Sequence, residues 1–282
     1  MAQAKVQGTD QGKAEHPRVA LCTSALREKL LEDALVAAAK LGFPGVEVWG
    51  REPHVGEVYD YNRSRQCKRL CEDRRLEIVA LGSYLRFGAT RKTQDGVDLL
   101  ETLQTAHALR APIVRVWASD IPSASADAKV WHAAVAEARE AAGRCRKLGI
   151  TIAVEMHDDT LADTADSARR FIDECECDNL RLNYQPAGRN GLDDPLDRLG
   201  KVMDYVVHIH AQNYAALAGA NGEVPRRASL PGGLVNFEAL VDLLVAKNYR
   251  GWIAVAAAPV EGDGKLNSLA ADLAFLNGLL GR

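Results

Sequence analysis

The chain has 282 residues and a mass of 30.6 kDa, long enough to bury a large core in one domain without disulfides. Its formal charge of −3 and isoelectric point near 6.2 give no net electrostatic reason for a nucleic-acid partner. The six cysteines do not resemble a small secreted disulfide framework. Cys67 and Cys71 are four apart on a predicted helix and Cys175 and Cys177 enclose only Glu176, so neither pair is a C-x-x-C zinc half-site and reduced thiols are expected.

Residues 1–17 are rich in Gln, Lys, Ala and Gly and carry no apolar run, which reads as a flexible leader, neither signal peptide nor membrane span, and points to the cytoplasm. From residue 18 to 282 a single domain is expected. Eight short apolar runs follow in order: RVALCTS, PGVEVWG, LEIVALGSY, PIVRVWAS, ITIAVEMH, LRLNYQP, VVHIHAQN and GWIAVAAA. Between and after them, helical periodicity predicts helices over about 25–41, 60–76, 93–109, 127–148, 162–176, 194–202, 235–248 and 266–280. Leu31, Ala34, Leu35 and Ala38 form an inward stripe ended by Gly42, and Asn236 caps FEALVDLLVAK. This alternation means parallel strands joined by crossover helices. A doubly wound sheet uses the same units, but eight of them favour closure into an α/β (β/α)8 TIM barrel.

In such a barrel, polar groups where the runs stop meet at one mouth. Glu155, His157, Gln185 and His210 are placed in this way, and Glu155 and His157 share one strand face. Glu155 supplies a carboxylate, Gln185 a neutral oxygen and His210 an imidazole, a set compatible with Mn²⁺, Co²⁺ or Mg²⁺ if further ligands exist. Glu155 and His157 are the catalytic candidates. Substrate contacts are expected from Glu47, Trp49, Tyr84, Arg115, Trp117, Gln212 and Asn213, with Arg115 orienting an anionic or hydroxyl-rich compound. His208 lies one layer below His210 and reads as a satisfied inner histidine. The long connection 213–233 suits a substrate lid or an oligomer contact, and AGRNGLDD after Gln185 borders the same mouth.

The segments LEDALVAAAKLGFPGVEVWG, VEMHD, LNYQP, VHIHAQN and YRGWIAVAAAP resemble the xylose-isomerase-like, or AP-endonuclease-family-2, barrel superfamily over about residues 18–280. The resemblance implies a divalent ion at the C-terminal mouth and a small, sugar-like substrate. It places Glu155 at the first carboxylate ligand, His210 at the histidine ligand and Gln185 where many members have aspartate. Ala256 stands where the last ligating glutamate is expected, and a methyl group neither coordinates nor moves a proton. Three readings follow: a natural relative poor in metal, a site completed by Glu261, or an introduced substitution.

The resemblance implies a sugar or polyhydroxy-keto-acid isomerase or epimerase acting through a metal-stabilised enediolate, impaired by Ala256 and with its metal weak or absent. The alternatives are a lyase or dehydratase on a related substrate, or a noncatalytic sugar-binding barrel. DNA repair is disfavoured because only seven histidines are available and His16 and His132 lie outside strand ends. Neither a G-x-G-x-x-G dinucleotide fingerprint nor a phosphate-binding P-loop is present. The outer helices and the 213–233 connection leave room for a homo-oligomer.

Overall fold

Each apolar run becomes a strand, because a parallel strand buried on both faces needs apolar residues on both. In the computed structural model, which describes residues 17–89, 97–186, 194–216, 226–258 and 262–281, these are β1 (Arg18–Cys22), β2 (Gly45–Trp49), β3 (Glu77–Phe87), β4 (Ile113–Ala118), β5 (Thr151–Glu155), β6 (Leu180–Tyr184), β7 (Val206–Ala211) and β10 (Trp252–Val255). They close into one barrel in the order β1-β10-β7-β6-β5-β4-β3-β2, and every neighbouring pair is parallel. Around it run α1 (Leu31–Leu41), α2 (Tyr61–Asp73), α3 (Leu99–Leu109), α4 (Ala128–Lys147), α5 (Ala165–Cys175), α6 (Pro195–Val202), α7 (Phe237–Ala246) and α8 (Lys265–Leu280). The expected (β/α)8 barrel is therefore the observed fold. None of the described helices is long and apolar enough to cross a membrane.

Local chemistry sets the helix ends. Asp60, Asp98, Asp127 and Asp194 accept first-turn backbone N–H groups, Thr164 and Ser167 form a capping box, and Asn236 accepts from Ala239 N. Gly42 ends α1 at φ 90°, a left-handed conformation that costs a residue without Cβ little. The start expected near residue 25 is corrected: Thr23–Leu26 is a 3-10 turn and Leu30 is extended, so α1 begins at Leu31 with its buried stripe. The connection 213–233 holds an antiparallel ribbon of β8 (Asn213–Ala216) and β9 (Arg226–Ala228), then a turn at Leu230–Gly232. Residues 217–225, most of the loop after Gln185, the leader up to His16, and Glu261 lie outside the described residues.

The main core lies between barrel and helices, while the apolar cluster inside the barrel is small: Ala20, Cys22, Val79, Ala80, Trp252 and Ala254, with Ile113 and Ala256 beside it. The rest of the lumen is polar. On the outer side, buried Asp272 of α8 accepts from Leu230 N at 2.8 Å, while its Oδ2 has no hydrogen-bond partner among the described residues. Burial pushes this carboxyl up to about 6, so the folded protein holds the proton more tightly than the unfolded chain, and stability falls as pH rises from the ordinary aspartate range through about 6. Asp272→Asn is expected to raise stability at pH 7 by about 1 kcal/mol. Thermal unfolding should show that gain vanish near pH 4, and an equal gain at both pH values would rule out the carboxylate as its source.

Candidate active site

Strand register brings the polar groups together. Cys22 of β1 lies opposite Glu47 of β2, Gly82 of β3 opposite Arg115 of β4, and His210 of β7 opposite Ala254 of β10. Glu47, Arg115, Glu155, His208 and His210 are all buried and form one network. The Glu47 Oε2 atom lies 2.8 Å from His208 Nε2 and 2.7 Å from His210 Nε2. On the other side of its ring, His210 Nδ1 is 3.3 Å from Glu155 Oε1. Arg115 Nε sits 3.2 Å from Glu155 Oε2 and 4.0 Å from Glu47 Oε1, while its Nη1 donates to Ser83 O at 2.6 Å.

Gly82 makes this junction possible. A Cβ there would stand 2.5 Å from Glu47 Oε1 and 3.3 Å from Arg115 Nη2, so the bare backbone of β3 leaves the gap through which residues of β2 and β4 meet. An isolated glycine inside LEIVALGSY is the sequence signal for that gap. Aromatic faces complete the setting: the Arg115 guanidinium lies 4.5 Å from the Trp117 ring centre and 5.3 Å from that of Tyr84, and Arg86 covers Trp117 at 4.1 Å.

These contacts fix the charges. Burial pushes the Glu155 carboxyl up, but Arg115 and then His210 pull it further down, to about 2. Burial likewise opposes ionisation of Glu47, and His210 with His208 outweighs it, holding that carboxyl well below the usual range. For His210 burial disfavours the cation, yet Glu47 and Glu155 raise it to about 9. Arg115 is held charged against the pull of its own burial by Glu155 and Glu47. At neutral pH the Glu47 and Glu155 carboxylates thus face the Arg115 guanidinium and the His210 imidazolium.

The other expected site residues fall into two groups. Trp49 donates from Nε1 to Tyr84 Oη at 2.9 Å, and the Tyr84 and Trp117 rings meet edge-on 5.0 Å apart, so these three line the mouth as one aromatic wall. His157 is half-buried with Nδ1 2.8 Å from Asp158 O and its ring 5.8 Å from that of Trp117. Gln185 is buried just beyond β6, and Gln212 accepts from Arg227 Nη1. Asn213 has a different task. Its Nδ2 donates to Leu230 O and Val235 O, and its Oδ1 accepts from Tyr214 N and Val235 N, which uses every donor and lone pair to build the loop. The substrate contact expected of Asn213 is corrected on that ground. Cys22, Gly82 and Arg227 join the mouth without having been singled out as site residues.

The donor set does not suit the hard divalent ion expected at Glu155, Gln185 and His210. Both oxygens of Glu155 already face cations, His210 is shared between two carboxylates, and Ala256, whose N–H extends β10 by donating to Ala211 O at 3.0 Å, presents only a methyl group. A dication there would lie against the Arg115 guanidinium, 3.2 Å from Glu155 Oε2. Among the described residues one group of three could gather around an ion: Cys22, Glu47 and His210, with ligand atoms within 4.8 Å of one another. Burial, followed by Glu47, keeps the Cys22 thiol protonated, and Glu47 Oε2 is already taken by two imidazoles.

Known proteins agree with the architecture. A 3-dehydroshikimate dehydratase of Bacillus anthracis is 23% identical over 245 residues, covering 80% of this chain and 86% of the relative. A xylose isomerase-like barrel protein of Mycobacterium smegmatis, solved in complex with magnesium, superposes with a TM-score of 0.68 at 20% identity, covering 94% of this chain and 96% of that one. A D-psicose 3-epimerase solved with D-fructose gives 0.73 at 15% identity, covering 94% and 100%. At these identities the structural likeness speaks for the fold. The profile of the family described as xylose isomerase-like TIM barrel matches residues 35–278, and the chain belongs to that family.

Proposed function

We propose that the barrel mouth binds a small, sugar-like polyhydroxy compound and moves a proton at the carbon beside its carbonyl, an isomerase-type reaction run by a single carboxylate. The observation that carries this reading is the convergence of Glu155, His210 and Arg115 from three strands onto one buried point at the mouth. In this scheme Glu155 accepts the proton, and Arg115 with protonated His210 stabilises the negative charge that develops on the carbonyl oxygen. The imidazolium donates to that oxygen by releasing its Nδ1–H from Glu155, the longer of its two carboxylate contacts at 3.3 Å against 2.7 Å to Glu47. His157 and the aromatic wall orient hydroxyl groups.

Ala256 shapes the choice among reactions. Epimerisation takes a proton from one face of a carbon and returns one to the other, which calls for two opposed groups, and the methyl of Ala256 provides none. Isomerisation between adjacent carbons, or elimination of a β-hydroxyl, can use one base on one face. The second reading, a lyase or dehydratase, is favoured by the similarity to the Bacillus anthracis dehydratase. The Arg115 ion pair that stabilises Glu155 also makes it a weak base, so turnover should be slow.

The test is proton exchange. A panel of ketoses and polyhydroxy-keto acids is incubated with the protein in D2O and followed by NMR, with ultraviolet absorbance reporting any new conjugated double bond. Deuterium is expected beside the carbonyl of at least one compound, lost in Glu155→Gln and unaffected by a chelator. A double bond formed without migration of the carbonyl selects the lyase reading. The absence of both exchange and elimination across the whole panel would defeat the proposal.

A further inference from the structure

Beside the ion network the mouth holds a cavity of about 320 Å³, at the lower end of the range for small-molecule pockets, and it is lined by Arg27, Arg227, Lys265, Trp49, Tyr84 and the Ala256 stretch. Three cations reach it from three elements: the end of the 3-10 turn after β1, the β9 ribbon and the first residue of α8. No carboxylate is among the described residues that line it. Lys265 Nζ is met by Glu28 at 3.0 Å. Among the described residues the other two have no acidic partner of that kind. Arg227 donates to the neutral oxygen of Gln212 and lies 4.4 Å from the Tyr214 ring centre, and the Arg27 side chain makes no hydrogen bond or ion pair with the described residues.

The charge on Arg227 is disfavoured first by burial, and Arg27 is near enough to add repulsion. It is also near enough to Glu155 to feel that carboxylate, so cavity and ion network belong to one mouth. The α8 helix starts at Lys265 on a glycine with no side-chain cap, and its positive end adds to the field. Ala256 completes the pattern. A carboxylate at this position would put an acid into the wall, whereas the methyl group leaves Arg27, Arg227 and Lys265 as the charged groups among the described lining residues.

We infer that the ligand itself brings the missing negative charge, so that the cavity takes a small polyhydroxy compound carrying an oxyanion, a carboxylate or a phosphate, seated between Arg27 and Arg227. This rests on the proposed sugar-like ligand and narrows its class. The hydroxylated part of the compound extends past Trp49 and Tyr84 toward Arg115 and Glu155.

Calorimetric titration of the full chain at low ionic strength with D-fructose, D-gluconate and D-fructose 6-phosphate tests the inference. At least one anion is expected to bind roughly 10-fold or more tighter than D-fructose, since charge-assisted hydrogen bonds replace neutral ones. The tighter anion distinguishes carboxylate from phosphate. Arg27→Met, at an exposed position that carries no packing, and Arg227→Met should each weaken that anion roughly 10-fold to 100-fold and leave D-fructose unchanged. Ala256→Glu should also weaken the anion. If D-fructose binds as tightly as both anions, or the arginine variants bind the anion like the parent, the inference is overturned and the proton-transfer proposal stands. If none of the three compounds binds at millimolar concentration, both are overturned.

Discussion

Replacing Arg115 with methionine is expected to lower stability at pH 7 by about 3–5 kcal/mol, the range found when one partner of a buried ion pair is removed. Methionine keeps much of the contact with Trp117 and Tyr84 but no charge. Glu155 Oε2 would lose the cation 3.2 Å away, and Glu47 Oε1, which has no hydrogen-bond partner among the described residues, would lose the one 4.0 Å away. Both carboxylates would then be buried with His210 as their main counter-charge. The loss should shrink in acid, because an unpaired buried carboxyl can take up a proton. Adding Glu155→Gln to Arg115→Met should restore part of the loss, with a coupling energy of about 1–3 kcal/mol in a double-mutant cycle. Urea unfolding of the four proteins measures this. If Arg115→Met unfolds at the parental urea concentration, the guanidinium is not the cation that holds the mouth together.

The same residues show how far the sequence could be read. Strand and helix order was legible because each unit obeys local rules: a buried parallel strand is an apolar run, and the α1 stripe, Gly42 and Asn236 act within one or two turns. The polar residues at strand ends were legible for a related reason, since a charge directly after an apolar run in a barrel has nowhere to go but the mouth. Their partnerships were not. Glu47 meets His208 and His210 only because β1 and β10 close the barrel between β2 and β7, a juxtaposition of residues 161 and 163 positions apart. Gly82 decides whether Glu47 and Arg115 meet, and a missing side chain gives little periodic signal.

Asn213 misled for the opposite reason. It follows a strand and is polar, as a site residue should be, yet the ribbon and the turn after it claim all its hydrogen bonds. Arg227 could not be placed because nothing local fixes how a 21-residue connection folds back over a barrel. The resemblance that singled out Ala256 therefore carried more than its spacing did. The structure gives that alanine a physical consequence: no third acid joins Glu47 and Glu155 from position 256, beside a cavity that Arg27, Arg227 and Lys265 line.

The charge on His210 has a measurable signature in stability. Its folded value of about 9 lies well above the ordinary 6.5, so the folded state binds this proton more tightly than the unfolded chain. The stabilisation is complete below about pH 6.5 and is lost as pH rises through about 9, a change of about 3 kcal/mol. Glu155 acts in the opposite sense. Its carboxyl is held at about 2, so its contribution is present above about pH 4.5 and is lost in acid, where Asp272 adds a slope of the other sign. The limb between about pH 6.5 and pH 8 is therefore the one that isolates His210. Above it Cys22, Cys67, Cys145 and Cys175 add losses of their own, because each folded thiol resists ionisation that the unfolded chain permits from the ordinary thiol range upward. Chemical unfolding at pH 6, 7 and 8 should show the parent losing stability steadily. His210→Gln, which can still donate to Glu47 but never carries charge, should be less stable at pH 6 and nearly flat across the range. A variant that keeps the parental slope would assign the loss to another group, and would remove His210 as the proton donor at the mouth.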